Sequence, residues 1–271
     1  MNEETKDSHD LQWHPAFYAG IQIEFSEESH YLTFENEHQL GTKPKEIDVL
    51  IIKKDPKVSI RKNIGRIFRK HNIIEYKSPE DYLSVDDFYK VYGYACFYKS
   101  DTQTVNEIKT KEITISYVTK RYPRKVIRHL QNQRQEAGIY CVVGERFPIQ
   151  FIVTSQLPEE ENFWLHNLTN DLKNAEDAEK LLRAYKNYQN DNLHQSLMDI
   201  IIEANKDVFK EVRGMCRALY ELMEDEFKES EERGKEKTLI SLVKDGLLSV
   251  TEAAKRLSIS EEELKQKIIS E

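Results

Sequence analysis

Long apolar runs are missing from this 271-residue chain: none approaches the roughly 18 to 20 residues that a membrane-spanning helix needs, which sets aside a membrane role. Cysteine is scarce. Cys96, Cys141 and Cys216 stand far apart and lack zinc-ligand spacing, so the expectation is a reduced cytoplasmic setting with buried thiols. The opening Met1-Asn2-Glu3-Glu4-Thr5-Lys6-Asp7 has no basic-then-apolar export pattern. There is no Gly-rich phosphate loop with a Walker-type lysine, no Gly-x-Ser-x-Gly elbow and no internal repeat, which sets aside several nucleotide and acyl-transfer chemistries and the solenoids. The eight histidines form no metal motif; His14, His38 and His71 read as surface or backbone-bonded side chains. Net positive charge is absent as well. At −8 the chain as a whole would repel nucleic acid, so any such contact must come from local clusters.

What is present is a foldable body. Charged residues make up 32% of the chain, but 39% apolar and 10% aromatic residues suffice for a substantial core. The sequence divides into a polar lead over residues 1–12, a core with an added hairpin over 13–160, a helical extension over 161–236 and a small helix-turn-helix-like appendage over 237–271. Pro15 suits a helix's first turn, and Phe17, Ile21 and Phe25 recur at helical spacing, with Glu24 near the end. Strands are expected at Tyr31–Glu37, around Asp48, around Glu75 and at Ile113–Val118, with a turn at Gly41–Pro44. Ser84 followed by Asp86 and Asp87 offers a cap and an acidic first turn for a helix through about Tyr98. Ile139–Val143 and Ile149–Val153 read as a hairpin that extends the sheet.

Chemistry concentrates in two apolar strands. Asp48 interrupts Ile47, Val49, Leu50, Ile51 and Ile52, where an unpaired carboxylate is costly to bury. Glu75 and Lys77 close His71-Asn72-Ile73-Ile74-Glu75-Tyr76-Lys77 and emerge on one side of the sheet, because side chains alternate along a strand. Two carboxylates can hold Mg²⁺ through oxygen, and a neighbouring ammonium can restrain a water or counter charge on a phosphate. The (Asp/Glu)-x-Lys spacing also occurs at Asp55–Lys57, Glu107–Lys109, Asp171–Lys173, Glu226–Lys228 and Glu263–Lys265, so only the strand context singles out Glu75 and Lys77. The plainer account of these residues is a solvated cross-strand ion pair and an edge carboxylate.

At these residues the chain resembles the PD-(D/E)xK nuclease superfamily, in its branch of transposase-associated, recombination-promoting nucleases. The likeness covers roughly residues 13–120. The resemblance implies an α/β, restriction-endonuclease-like mixed sheet flanked by helices. It further implies Asp48, Glu75 and Lys77 as catalytic residues, Glu24 as the helix carboxylate, and Mg²⁺ or Mn²⁺ held by Asp48, Glu75, Glu24 and the Tyr76 carbonyl. DNA is the implied substrate and recombination or mobile elements the implied setting; a homodimer would bring two centres to two strands. Two departures stand out: Ile47 takes the place of the motif's Pro, and Lys90-x-x-x-Tyr94 that of Gln-x-x-x-Tyr.

Nucleic acid is expected to meet the basic connection between the two strands, through Arg61, Lys62, Arg66, Arg69 and Lys70, with Gly65 permitting close backbone approach. Lys120, Arg121, Arg124, Lys125 and Arg128 form a second cluster. Beyond Asn162 the chain reads as helical, with an acidic connector over Glu221–Glu236. Near the end, Val250–Leu257 and Glu261–Ile268 resemble a helix-turn-helix, but Glu261, Glu262 and Glu263 would repel phosphate, so a helical appendage or protein contact is favoured. The alternative to an enzyme is a noncatalytic nucleic-acid-binding or regulatory protein with the nuclease fold. A third class is a helical scaffold whose motif residues merely pair with one another.

Overall fold

The computed structural model describes residues 11–40, 46–55, 57–212, 243, 249–257, 259–260, 262, 264 and 266. The polar lead up to residue 10, the turn at 41–44, Cys216 and the acidic connector 221–236 lie outside the described residues. Glu261 and Glu263 of the second helix-turn-helix segment do too.

Seven strands form one mixed sheet in the order β1-β2-β3-β4-β7-β6-β5. β1 (Leu32–Gln39), β2 (Glu46–Lys53) and β3 (His71–Tyr76) run antiparallel to one another in turn. β4 (Ile113–Thr119) pairs parallel to β3, and β7 (Ile149–Val153) parallel to β4. A parallel neighbour needs a crossover, and α2 (Val85–Ser100) lies in the one between β3 and β4. β3, β4 and β7 are buried along their whole length. They read as near-continuous apolar runs because helices cover both faces.

α1 (Trp13–Glu24) lies on one face, where its Phe17 stacks on Tyr76 of β3. α2 covers the other, packing Phe88, Val91 and Ala95 with Ile73, Ile115, Tyr117 and Phe151. α2 is stopped at its start by a capping box: Ser84 Oγ accepts from the Asp87 N–H while the Asp87 carboxylate accepts from the Ser84 N–H.

The expected hairpin is present as β6 (Ile139–Val142) against β7. Beyond it lies β5 (Asn132–Glu136), a strand whose five residues are all polar and mostly exposed. It carries no apolar alternation to read, because an edge strand facing solvent on both sides does not need any. Gly138, between β5 and β6, has φ +76°, and a Cβ there would meet Leu157 N at 2.8 Å, so the turn requires glycine.

The described chain falls into two compact units, Met1–Phe209 and Lys210–Glu271. α3 (Arg124–Ile127), α4 (Phe163–Asn167), α5 (Ala175–Tyr185) and α6 (Asn192–Ala204) belong to the first. The opening of the helical extension is thus continuous with the sheet's body: Gly20 of α1 faces Leu165 of α4 and Leu197 of α6. In the second unit a helix spans Val250–Leu257, and Ala253, Ala254 and Leu264 are buried together. Among the described residues no helix is long and apolar enough to cross a membrane.

Candidate functional site

Asp48 and Glu75 are brought together by strand register. β2 and β3 pair Val49 with Ile74, and one further step along that antiparallel ladder sets Asp48 opposite Glu75. The Tyr76 N–H donates to Asp48 Oδ2 at 2.9 Å, which fixes one carboxylate oxygen against the β3 backbone. Glu75 is 4% exposed, whereas the Asp48 side chain keeps 23% of its surface in contact with solvent. A cleft of about 240 Å³ reaches Asp48, lined also by His14, Phe17, Asn36, Glu37 and Val49.

Two ammonium groups converge on Glu75 Oε1. Lys77 Nζ lies 3.4 Å away and also donates to Asp87 Oδ1 at 3.1 Å; Lys90 Nζ lies 3.7 Å away. Asp87 therefore serves twice, since its other oxygen caps α2 through Ser84. Burial, together with the Asp48 charge, pushes the Glu75 carboxyl up to about 7, although Lys90 and Lys77 pull the other way. Burial also raises Asp48, against the Tyr76 N–H and the charges of His14, Lys77 and Lys90. Lys77 is disfavoured as a cation by its burial, yet Glu75 and Asp87 outweigh this and hold it above the usual lysine value. Two carboxylates in want of positive charge thus face a permanently charged ammonium.

The donor set suits a hard divalent cation. Asp48, Glu75 and the Tyr76 carbonyl offer oxygen only, and Mg²⁺ characteristically takes one or two carboxylates with the rest of its shell filled by waters and substrate phosphate. A cation there would offset the burial and the Asp48 repulsion that together raise Glu75. Among the described residues no three His, Cys, Asp or Glu side chains converge as a metal cluster, so the centre rests on these two carboxylates.

Glu24 does not join them. Ten residues of α1, about 15 Å of helix, separate it from His14, whose Nε2 lies 3.7 Å from Asp48 Oδ2. Glu24 Oε1 accepts from the N–H groups of Trp164 and Leu165 at the start of α4, and Oε2 takes Lys62 Nζ at 2.5 Å. It anchors α1 to α4 and to Lys62, and the structure does not bring it to Asp48 and Glu75.

The basic connection is likewise displaced. Ile52 pairs with His71 where β2 and β3 meet that connection, whereas Asp48 and Glu75 stand at the opposite end, four residues or about 13 Å away. Lys62 is engaged by Glu24 and the Glu161 carbonyl, and Arg66 by Glu136. Arg61 and Arg69 are exposed and Lys70 half-buried. Gly65 serves packing: a Cβ there would come within 2.5 Å of Phe25 and 2.7 Å of Ile60.

His14, Asp87 and Lys90 were not assigned to the centre by sequence. Lys90 carries one signal, its place in Lys-x-x-x-Tyr; His14 and Asp87 enter only because α1 and α2 begin beside the strands. Comparison with family models, curated proteins and solved structures returned no match.

Proposed function

We propose that this chain is a metal-dependent DNA endonuclease, built in the manner of the PD-(D/E)xK superfamily that Asp48 and Glu75-Tyr76-Lys77 resemble. The observation that carries the reading is the pair of carboxylates set opposite each other, one buried and one open to a cleft, with Lys77 clamped beside them. Asp48, Glu75 and the Tyr76 carbonyl would hold Mg²⁺ or Mn²⁺, which when bound supplies charge stabilisation at the phosphoryl oxygens. Asp48 and Glu75 would also orient the attacking water. Lys77, held in its charged form by Glu75 and Asp87, offers a donor and a positive charge to the developing phosphorane rather than acting as a base. A homodimer would allow both strands to be cut, and the resemblance suggests recombination or mobile elements as the setting.

A second reading, a noncatalytic nucleic-acid-binding or regulatory protein, is favoured by a specific feature. Lys77 and Lys90 already place two positive charges by Glu75, so the pair is partly neutralised without a metal.

The test is incubation of wild type and of Asp48→Ala, Glu75→Ala and Lys77→Ala variants with supercoiled and linear DNA at low salt, in Mg²⁺, Mn²⁺ or EDTA. Nicking that requires metal and vanishes in folded variants is the expected result. Binding without cleavage would support the second reading, and inactivity in both assays would leave the motif residues as structural ion pairs.

A further inference from the structure

Because β3, β4 and β7 are parallel, their carboxyl ends share one edge of the sheet, and Glu75 lies at that edge. Open α/β sheets take up ligands at the carboxyl ends of their strands, where chain reversals leave a crevice. The segment that leaves β4 at this edge carries Arg121, Arg124, Lys125 and Arg128, all exposed. Lys120 is not one of this set, being buried against Asp171 and Asn170.

We propose that the phosphodiester backbone of the DNA substrate crosses this carboxyl edge, held by Lys90 and by the four cations around α3, and not by the basic connection at residues 61–70. The inference rests on the endonuclease reading and specifies where its substrate lies.

Three observations support it. First, the connection at 61–70 sits at the opposite end of β2 and β3, where Lys62 is tied into a largely buried pair with Glu24 and the exposed Arg66 pairs with Glu136. Second, Lys90 differs from Lys77. Lys77 is locked between Glu75 and Asp87 with 17% of its side chain exposed, while Lys90 is 47% exposed and its 3.7 Å contact to Glu75 is longer than a hydrogen bond. It also lies over the Tyr94 ring, 5.6 Å from the centroid, and Gly93 next to it faces open space. An incoming phosphate can therefore draw the Lys90 ammonium from Glu75 without disturbing the fold. Third, Tyr82 is 72% exposed and its ring lies 5.5 Å from Lys125 Nζ. An exposed tyrosine hydroxyl beside a lysine offers two groups of the kind that contact the phosphates of a duplex. With a net charge of −8, the molecule depends on such local cations for any attachment to DNA.

The experiment is fluorescence anisotropy of a fluorescein-labelled DNA duplex with the full chain in EDTA, across a salt series. Lys90→Gln and the pair Arg124→Ala with Lys125→Ala should each lower the slope of log affinity against log salt, by about one for every phosphate contact removed. Arg61→Ala with Arg69→Ala should leave the slope at the wild-type value. All these positions are exposed or half-exposed, and circular dichroism melts confirm folding of each variant. A wild-type slope in the Lys90 and α3 variants overturns the proposed surface, whatever the connection variants do. Metal-dependent nicking by wild type would then leave the endonuclease reading standing without it. A lowered slope in those variants, with no nicking in Mg²⁺ or Mn²⁺, upholds the surface and removes the hydrolase. No binding by wild type at low salt overturns the surface, and if nicking in Mg²⁺ or Mn²⁺ is also absent the endonuclease reading falls with it.

Discussion

Glu24 and Glu75 are two carboxylates of nearly equal burial, 8% and 4% exposed, in opposite circumstances. Glu24 accepts from two backbone N–H groups and from Lys62, so its lone pairs are met at the start of a helix where negative charge is favoured. Glu75 faces another carboxylate and is raised to about 7, with its two ammonium neighbours at 3.4 and 3.7 Å. Burial is therefore no guide to role. What distinguishes an anchor from a candidate catalytic group is whether the protein itself completes the charge and hydrogen-bond balance, and at Glu75 it does not.

That contrast can be broken at several points. The largest expected effect is on chemistry: Glu75→Gln should lower the nicking rate about a thousandfold, about 4 kcal/mol of transition-state stabilisation. Initial rates on supercoiled DNA would register it, and its unfolding midpoint above pH 7 should rise, because the amide removes a charge that burial disfavours. The reverse is expected at the other end of α1. Glu24→Ala leaves the half-buried Lys62 without its carboxylate and two helix N–H groups unmet, so urea unfolding should give a loss of about 3 kcal/mol. Equal stability losses in the two variants would erase the distinction between them.

A third measurement follows proton binding. The folded chain holds the Glu75 proton up to about pH 7, whereas the unfolded chain releases it near 4.5. Between these values the folded state binds more protons, so stability from this group is full below about 4.5 and is lost as pH rises to about 7. Urea unfolding in EDTA should fall by on the order of 3 kcal/mol across that window. Glu75→Gln should flatten the change, and added Mg²⁺ should offset it above pH 7.

The smallest effects test the supports. Gly65→Ala, pressed against Phe25 and Ile60, should cost about 1 to 3 kcal/mol, and wild-type stability in that variant would argue for an open, ligand-facing glycine. Ser84→Ala should cost about 1 kcal/mol in thermal unfolding. It should also weaken cleavage slightly, because the same cap positions the Asp87 that clamps Lys77.

Much of this fold could be read along the chain. β2, β3, β4 and the β6–β7 hairpin are apolar runs broken by turns, and α2 announces itself through Ser84, Asp86 and Asp87. β5 could not be read, because its five polar residues become a strand only by hydrogen-bonding to β6. At the centre, Asp48, Glu75 and Lys77 were visible as polar residues at odds with apolar strands. Glu24 lies away from the centre because helical spacing places a residue on a helix but not at a chosen end of a sheet, and the 61–70 cluster lies at the other end of the strands because closeness in sequence to both strands is not closeness to their charged ends.

The order of residues alone determined which strands would be buried and that two of them would carry acids into the interior, since apolar patterning and the cost of a stray charge are local properties. Which acids meet, which lysine is locked and which edge presents exposed cations were decided by strand register and by parallel pairing across distant segments. Those are relations among elements, fixed only when hydrogen-bonded ladders and packed helices close around one another.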